Sequence, residues 1–354
     1  MYYPLLKNSN NEMRALRELK DESRNKLIPI IESKRIKRTN VQNWEASFRT
    51  LGKFLKERVK NTKFIYDFNC ALEELGEEEP LTSSTTGENL VQHCLGKMQD
   101  EELDLIPCFQ HDSPDWLIHA VLQSSYEEIA IRIRCHDFQE SFNRFVVQKL
   151  MSDLESVSGN NEVTIILDFF DQPTTLRRLQ NAIEDFSRIH HKEIVYLATA
   201  CPDNASGADP HSLTMIGPRT EFSTFLELKV QYPDLRFGDY TTRLKGEVLT
   251  GFNHYNSYVK IFYSTETDYW IAKSKLIGDD GEFTFYEVCQ ELVDQDFYPG
   301  SDFSFGDGEI QKCADDKITI GDHQTPIAIG VNHHIETTIA QLSSFPPVLS
   351  TLER

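Results

Sequence analysis

The stretch "IAIRIRCHDFQESFNRFVVQKLMSDLESVSGNNEVTIILDF" (residues 129–169) contains two apolar segments that flank a helical one. The first seven and last seven residues, "IAIRIRC" and "VTIILDF", are rich in β-branched side chains, which favours strands. Between them Phe142, Val146 and Leu150 recur every four residues, as on one face of a helix. A strand, a helix and a second strand in this order indicate a parallel β–α–β unit.

The same alternation extends in both directions along the chain. Over roughly 240 residues it predicts a closed, TIM-like (β/α)8 barrel, which we assign to residues 1–244. The alternative is an open doubly wound sheet, which the lack of a GxGxxG sequence after the first strand disfavours. Three prolines lie inside the predicted strands, where proline is unusual. The eight predicted strands are residues 2–6, 26–31, 63–68, 103–109, 129–135, 163–169, 193–199 and 235–241.

Residues 245–354 do not continue this alternation. The segment "SYVKIFYSTETDYWIAKSKL" (257–276) predicts a hairpin with its turn at "TETD", and "EFTFYEVCQELVDQ" (282–295) predicts a helix. The segment "HHIETTIAQLSSF" (333–345) predicts a final helix. We interpret residues 245–354 as an α+β insertion whose closing helix packs on the barrel. A separate C-terminal domain is the alternative.

Acidic and basic side chains follow several predicted strands and should meet at one mouth of the barrel. Glu32, Asp67 and Asp168 are expected to hold a divalent metal ion, Mg²⁺ or Mn²⁺. His136 is expected to act with Asp168 in catalysis by transferring protons. Acids in such positions also cap helices, which is the structural alternative. The expected ligands of a substrate phosphate are Lys34, Arg134 and Arg243.

Two stretches near the C-terminus contribute further candidates. The glycines of "SDFSFGDGEI" (301–310) predict a tight turn that presents the carboxylate of Asp307. In "IGVNHHIETT" (329–338), Asn332 is the predicted N-cap of a helix whose first turn holds both histidines. Asp307 with His334 or His333 would then complete the barrel mouth as a base or metal ligand, and we take Asp307 and His334 as catalytic candidates. Alternatively, the turn and the capped helix only attach the insertion to the barrel.

The formal charge of the chain is −20 and is unevenly distributed. Residues 1–60 carry a net charge of +8, and the remainder carries −28. An acidic body disfavours general binding to nucleic-acid backbones, although a focused basic site in the N-terminal part remains compatible with it.

No apolar run approaches membrane-spanning length, and the first residues lack the features of a signal peptide. The seven cysteines are scattered and form no CxxC pair. These observations predict a cytoplasmic protein with free thiols and no membrane partner.

Several strings resemble the "beta protein" family of phages and bacterial mobile elements. They lie at both ends of the chain and occur in a consistent order. The resemblance implies a phage or genomic-island context, and it implies no particular activity. The strings are "YYPLLKNSNNEMRALREL" (2–19), "LIPIIE" (27–32), "GDY" (238–240), "YPGSDFSFGDGEI" (298–310) and "IGVNHHIE" (329–336).

The leading hypothesis from the sequence is a phage- or mobile-element-encoded, metal-dependent hydrolase. Its substrate would contain phosphate, as a nucleotide or a nucleic acid does, and it would act in phage–host conflict. The rival hypothesis is a non-catalytic acidic inhibitor or DNA mimic that binds a host or phage protein.

Overall fold

The computed structural model describes residues 1–36, 38–79, 84–85, 87–156, 161–242, 254–320 and 325–345. Eight parallel strands close into a barrel, which confirms the predicted (β/α)8 fold. Each of the eight predicted segments supplies one strand. Around the barrel they are β1 (Tyr2–Lys7), β2 (Ile30–Glu32), β3 (Phe64–Asp67), β4 (Leu105–Gln110), β5 (Glu128–Arg134), β6 (Glu162–Phe170), β7 (Glu193–Ala198) and β9 (Arg236–Asp239).

Helices cover the outside of the barrel. The helix over residues 176–186 is typical: the Thr175 side chain accepts a hydrogen bond from the Arg178 N–H and caps its start. Its buried residues recur at intervals of three and four, so one face packs on the strands. The outer helices are α1 (Asn10–Arg17), α2 (Asp21–Arg24), α3 (Trp44–Phe48), α4 (Leu51–Val59), α5 (Leu72–Leu75), α6 (Leu90–Gln99), α7 (Asp115–Leu122), α8 (Asn143–Glu155), α9 (Leu176–Phe186) and α10 (Thr220–Gln231).

A three-stranded antiparallel sheet and three helices form a second unit beside the barrel. The hairpin predicted over residues 257–276 is confirmed as two paired strands. The last helix packs against one of these strands and against α1, so it joins the sheet to the barrel. The elements are β8 (Ser212–Pro218), β10 (Tyr258–Ser264), β11 (Asp268–Leu276), α11 (Phe285–Val293), α12 (Phe305–Asp316) and α13 (Thr325–Ser344), and the sheet order is β10-β11-β8.

Strand β8 has no counterpart among the predicted strands. It lies before residue 244, yet it pairs with β11 and not with the barrel. Most of its residues are half-exposed, and it includes Ser212 and Thr214, so it lacks the apolar run that marks the barrel strands. The second sheet therefore takes strands from both sides of the predicted boundary at 244 and 245.

Two local predictions for the C-terminal stretches are wrong. Helix α13 begins at Thr325, so Asn332 is an interior residue and not an N-cap. Its side chain bridges instead, accepting from the Gly306 N–H at 3.1 Å and donating to the Ala15 carbonyl at 3.0 Å. Asp307 lies in the first turn of α12, which Ser304 caps, and not in a tight turn. Glycine and asparagine in these stretches serve helix packing and not turn formation.

The barrel interior changes from apolar to charged towards the carboxyl ends of the strands. Alternate residues of a strand share one face, so the residue two positions after an inward apolar one also points inward. The apolar layer includes Ile30, Ile65, Ala130 and Ile166. The residues two positions further along are Glu32, Asp67, Arg132 and Asp168, which are all buried.

Two glycines allow α13 to approach its neighbours closely. A Cβ atom on Gly306 would lie 2.4 Å from the Ile329 carbonyl oxygen, and one on Gly330 would lie 2.3 Å from the Phe262 carbonyl oxygen. Both obstacles are backbone atoms, which cannot rotate away. The close packing of α12 on α13 therefore requires glycine at position 306, and the packing of α13 on β10 requires glycine at position 330.

We expect Gly306→Ala to destabilise the protein by about 1–3 kcal/mol, because overpacking forces the backbone to shift. Gly308→Ala is the matched control in the same helix. Its Cβ would meet only the Ser301 carbonyl oxygen, at 3.3 Å. This control should be neutral or slightly stabilising, since alanine favours helix. Urea denaturation measures both, and equal effects would contradict the close-approach argument.

Within the described residues, no helix combines the length and the apolar character that crossing a membrane requires.

Candidate functional site

A cavity of about 680 Å³ opens at the carboxyl ends of the barrel strands. This volume lies within the usual range of small-molecule sites, roughly 300–1,000 Å³. Residues at or beyond the ends of β1 to β6 line it, together with Tyr240 after β9. Four of the predicted site residues are among them: Glu32, Lys34, Arg134 and His136.

Arg132 lies at the floor of this cavity and binds the acids predicted there. Its Nη1 donates to Glu32 Oε1 at 2.9 Å and to Asp67 Oδ2 at 3.0 Å. Its Nε donates to Asp168 Oδ2 at 2.8 Å, and Nη2 donates to Tyr240 Oη at 3.0 Å. The three predicted metal ligands are therefore brought together, and they surround a guanidinium.

Arg132 donates four hydrogen bonds, and its remaining N–H group lies beside the Asp168 carboxylate. A guanidinium has five N–H groups, and Nη2 lies 2.8 Å from Asp168 Oδ2 in addition to its contact with Tyr240. Burial opposes the charge of Arg132, but the surrounding oxygens outweigh burial and raise its pKa well above the ordinary value. Three carboxylates around one cation leave the cavity floor formally negative. Arg132 is buried and bound to the surrounding acids, so it organises the floor.

Arg132 was missed by the sequence reasoning, although "IAIRIRC" contained a signal. Arg132 lies two positions after Ala130 and so shares its inward face. A charged side chain inside a barrel requires partners of opposite charge. The strand-terminal acids were already identified, and this rule makes them candidate partners of Arg132 without deciding which of them it binds.

Two neutral side chains complete the floor. Tyr240 Oη lies 2.8 Å from both carboxylate oxygens of Asp168 and donates to that group. Burial and the charge of Asp168 raise the pKa of Tyr240 well above its ordinary value, so it remains a phenol. Gln110 Nε2 donates to Asp67 Oδ2 at 2.9 Å. These bonds hold the carboxylates in one arrangement.

His136 lies in the cavity wall directly after β5. Its Nδ1 is 3.1 Å from the backbone carbonyl oxygen of Asp168, which only accepts, so Nδ1 carries a proton. In the neutral ring Nε2 is therefore an acceptor. The Asp137 carboxylate oxygen Oδ1 lies 3.3 Å from Nε2 but forms no hydrogen bond with it, so Nε2, unlike the corresponding atom of a histidine that donates through both nitrogens, is left to accept a proton. This geometry meets the requirements for a general base.

Phe170 forms an apolar wall beside His136. Its φ angle is +53°, in the left-handed region that bulky residues avoid, and the pairing of β6 with β7 shifts register here. The ring centroid lies 5.3 Å from that of His136 and 5.2 Å from that of Tyr240. Such strain, on the order of 1–3 kcal/mol, is typically found at functional sites.

The predicted phosphate ligands occupy the rim and not the floor. Lys34 is exposed there. Arg134 is 38% exposed and pairs with Asp137 at 2.9 Å. Arg35 also lines the cavity and pairs with Glu73. The remaining predicted ligand, Arg243, lies outside the described residues.

The two catalytic candidates from the C-terminal stretches, Asp307 and His334, are not among the residues that line the mouth. Asp307 is buried, and its Oδ2 lies 2.8 Å from His333 Nδ1. Tyr263 Oη donates to its Oδ1 at 2.8 Å. Burial opposes ionisation, but the charge and hydrogen bond of His333 hold the pKa of Asp307 below its ordinary value. The partner of Asp307 is therefore His333.

Thr337, His333 and Asp307 are arranged like a nucleophile, a base and an acid. Thr337 Oγ1 lies 3.2 Å from His333 Nε2. The same Nε2 lies 2.7 Å from the backbone carbonyl oxygen of Ser264, which must accept its proton. His333 thus donates through both ring nitrogens and has no lone pair for a threonine proton. The group joins α13, α12 and β10 and lacks a general base.

His334 connects α13 to β9 and β10. Its Nε2 lies 2.9 Å from Asp239 Oδ2, and its Nδ1 lies 2.9 Å from Ser264 Oγ. Burial lowers the pKa of His334, Asp239 opposes this, and the charges of Arg219 and His333 lower it further. The neutral ring therefore donates to Asp239 through Nε2 and accepts from the Ser264 hydroxyl at Nδ1.

We expect the stability of the protein to fall as the pH drops below about 6.5. An unfolded histidine takes up a proton there, whereas folded His334 resists protonation, so its contribution is present above that pH and is lost below it. One such proton gives a slope of up to about 1.4 kcal/mol per pH unit. His334→Gln should flatten the dependence of the unfolding free energy on pH between 7 and 5.

Chemical denaturation at three pH values in this window provides the measurement. The exposed His190 supplies the control, since His190→Gln should leave the slope unchanged. Asp239 and Asp307, whose pKa values are lowered, lose their contributions only below their ordinary value of 3.8. An unchanged slope in His334→Gln would contradict the assignment of a neutral buried ring.

The floor does not fit a metal ion in the position predicted for it. Glu32, Asp67 and Asp168 already direct oxygens at Arg132 within 3.0 Å. A cation among them would meet the guanidinium charge. Across the described ranges, no three His, Cys, Asp or Glu side chains are grouped so that they could hold a metal ion.

The closed parallel barrel and its polar mouth define a (β/α)8-barrel protein with a cavity at the carboxyl ends of its strands. The chain belongs to the Beta protein family, whose model matches residues 2–340. No curated protein matches the sequence.

Proposed function

We propose that the barrel mouth binds and hydrolyses a phosphate-containing substrate of nucleotide size. The observation that carries this proposal is the placement of His136 in the cavity wall, with Nδ1 bound to a backbone carbonyl and Nε2 facing Asp137. A base held in one tautomer beside a cavity is what the activation of a water molecule requires. We place this activity in the cytoplasm and in phage–host conflict.

The lining supports specific roles for the surrounding residues. Lys34 and Arg134 at the rim would bind the phosphate oxygens. His136 Nε2 would accept a proton from water as the water oxygen bonds to phosphorus. The bond from phosphorus to the leaving oxygen then breaks, and that oxygen takes up a proton from solvent. Asp168 would be a positioning residue. Its backbone carbonyl accepts from His136, and its carboxylate accepts from Arg132.

Size and shape favour a nucleotide over a nucleic-acid duplex. The cavity volume of about 680 Å³ suits a single small molecule. The net charge of −20 disfavours tracking along a polyanionic backbone. The half-buried ring of Phe170 offers an apolar surface against which a base could stack.

The expectation of Mg²⁺ or Mn²⁺ remains a prediction, to be tested by its own arm of the experiment. Because Arg132 already occupies the centre of the acids, the roles above are assigned to protein groups alone.

Thermal unfolding with nucleotides, short oligonucleotides, Mg²⁺ and Mn²⁺, singly and combined, tests the proposal. A bound ligand at 100 times its Kd stabilises the native state by about 2.7 kcal/mol. We expect a nucleotide to raise the Tm of the wild type but not that of Lys34→Ala, which lacks a proposed phosphate ligand. Lys34 is exposed, so its removal should not unfold the protein. Lys53→Ala, an exposed lysine on α4, is the matched control.

If the ligand raises the Tm of Lys34→Ala as much as that of the wild type, it binds somewhere other than the barrel mouth. Asp168→Asn is a less specific probe, because it also removes an acceptor of Arg132 and Tyr240. The effect of Asp168→Asn on ligand binding must therefore be compared with its effect on the stability of the ligand-free protein.

The second candidate function is a non-catalytic acidic protein that binds a host or phage protein, as a DNA mimic would. The net charge of −28 after residue 60 favours it. It predicts no shift with any small ligand, no effect of rim substitutions, and a protein complex that weakens as salt is added.

A further inference from the structure

A second cavity, of about 660 Å³, lies in the C-terminal unit. The tip of the β10–β11 hairpin, the segment before α12, and α13 enclose it. It shares no lining residue with the mouth. We propose that this cavity is a separate binding site for a small organic cation that carries an alkylated ammonium group, of the kind found in choline. The proposal does not rest on the function assigned to the mouth.

Aromatic rings form much of the cavity wall. Trp270, Phe297 and Phe303 line it, and the Trp270 and Phe297 centroids lie 4.9 Å apart with their planes at 40°. Aromatic faces attract cations through their quadrupole, and tryptophan does so best. Lys20 Nζ already lies 5.6 Å from the Phe303 centroid, so Trp270 and Phe297 are the rings that we assign to the ligand. The wall is therefore suited to a poorly hydrated positive group.

The charges around the cavity have the complementary sign. Its lining holds the carboxylates of Glu266 and Asp268 at the hairpin tip. The other titratable group in the lining is His333, whose Nδ1 lies 2.8 Å from Asp307 Oδ2. Lys20 lies beside Phe303 at one side of the wall, whereas the hairpin tip carries two acids.

The combination selects an organic cation over a metal ion. Hard metal ions require several oxygen ligands at once. Here Glu266 is exposed, Asp268 accepts from the Thr267 hydroxyl at 2.5 Å, and the opposite wall is aromatic. An alkylated ammonium group is weakly hydrated, so it loses little hydration on entering the cavity. Inside, it would make cation–π contacts with the rings and be attracted to the carboxylates.

The experiment compares choline with 3,3-dimethylbutan-1-ol, a neutral compound of the same shape, by isothermal titration calorimetry on the full chain. We expect choline to bind about 10-fold more tightly, in line with a cation–π and charge contribution. Glu266→Gln combined with Asp268→Asn should weaken choline binding several-fold and leave the binding of the alcohol unchanged. Trp270→Leu should remove the preference for choline.

Two outcomes overturn the proposal. Equal affinity for choline and the alcohol would make the cavity merely apolar. Absence of choline binding at millimolar concentration, with the fold intact, would exclude the site. Glu266→Gln alone changes only an exposed side chain at a hairpin tip, so its effect on choline affinity can be measured even if Trp270→Leu fails to fold.

Discussion

Arg132→Met is expected to destabilise the protein by about 3–5 kcal/mol at neutral pH, because it leaves buried carboxylates without their cation. Glu32, Asp67 and Asp168 each give Arg132 an oxygen within 3.0 Å, and Asp168 is fully buried. Methionine fills similar space without charge. Urea denaturation at pH 7.5 measures the loss.

The same variant should recover as the pH falls. Without the guanidinium, the three carboxylates repel one another, and that repulsion is relieved as the solution becomes more acidic. The difference in unfolding free energy between the wild type and Arg132→Met should therefore narrow between pH 7.5 and pH 5.5. A difference that does not depend on pH would indicate lost packing and not uncompensated charge.

Arg134→Met serves as the control for Arg132→Met. Arg134 belongs to the same strand, but its ion pair with Asp137 is 38% and 36% exposed. Surface pairs of this kind contribute about 0–1 kcal/mol. If the two substitutions cost the same, Arg132 does not organise the floor of the cavity.

The second large effect is expected for catalysis. His136→Gln should lower kcat by about 10²–10⁴-fold, which is the usual contribution of a general base. The assay substrate is the nucleotide that gives the largest thermal shift. Glutamine can still donate to the Asp168 carbonyl but cannot accept a proton, so the fold should persist. The substrate affinity should change little, because His136 is not assigned to phosphate binding.

The pH profile separates a catalytic His136 from a structural one. A general base imposes a pH dependence on kcat, and the residual activity of His136→Gln should lack the dependence that the wild type shows. His190→Gln, at an exposed site, should behave like the wild type. A kcat for His136→Gln within about 3-fold of the wild type would remove His136 from the mechanism, since a general base contributes far more.

Much of the fold could be predicted because its signals are local. The period of the apolar residues identifies strands and helices within short windows, and their strict alternation leaves few topologies. The same logic placed Glu32, Asp67 and Asp168 at one end of the barrel, where they do meet. Strand β8 was not predicted because its half-exposed residues do not form an apolar run.

The hydrogen-bond and ion-pair partners of the site residues could not be predicted from local sequence patterns. Arg132 meets Glu32 across 100 positions of sequence and Asp67 across 65. Asp307 pairs with the neighbouring histidine, His333, and not with the mouth. The start of α13 was placed too late because Gly330 and Asn332 resemble helix-boundary residues, whereas each contacts a packed neighbour.

The sequence by itself determined the barrel and which end of it carries acids, because strand and helix periodicities and the polarity of parallel strands are properties of short segments. Only the tertiary structure decided that those acids surround a guanidinium, that His136 is held in one tautomer, and that His333 and His334 have different partners. Hydrogen bonds between side chains require positions within about 3 Å. Closure of the barrel and the seating of α13 set these positions, and no local pattern encodes them.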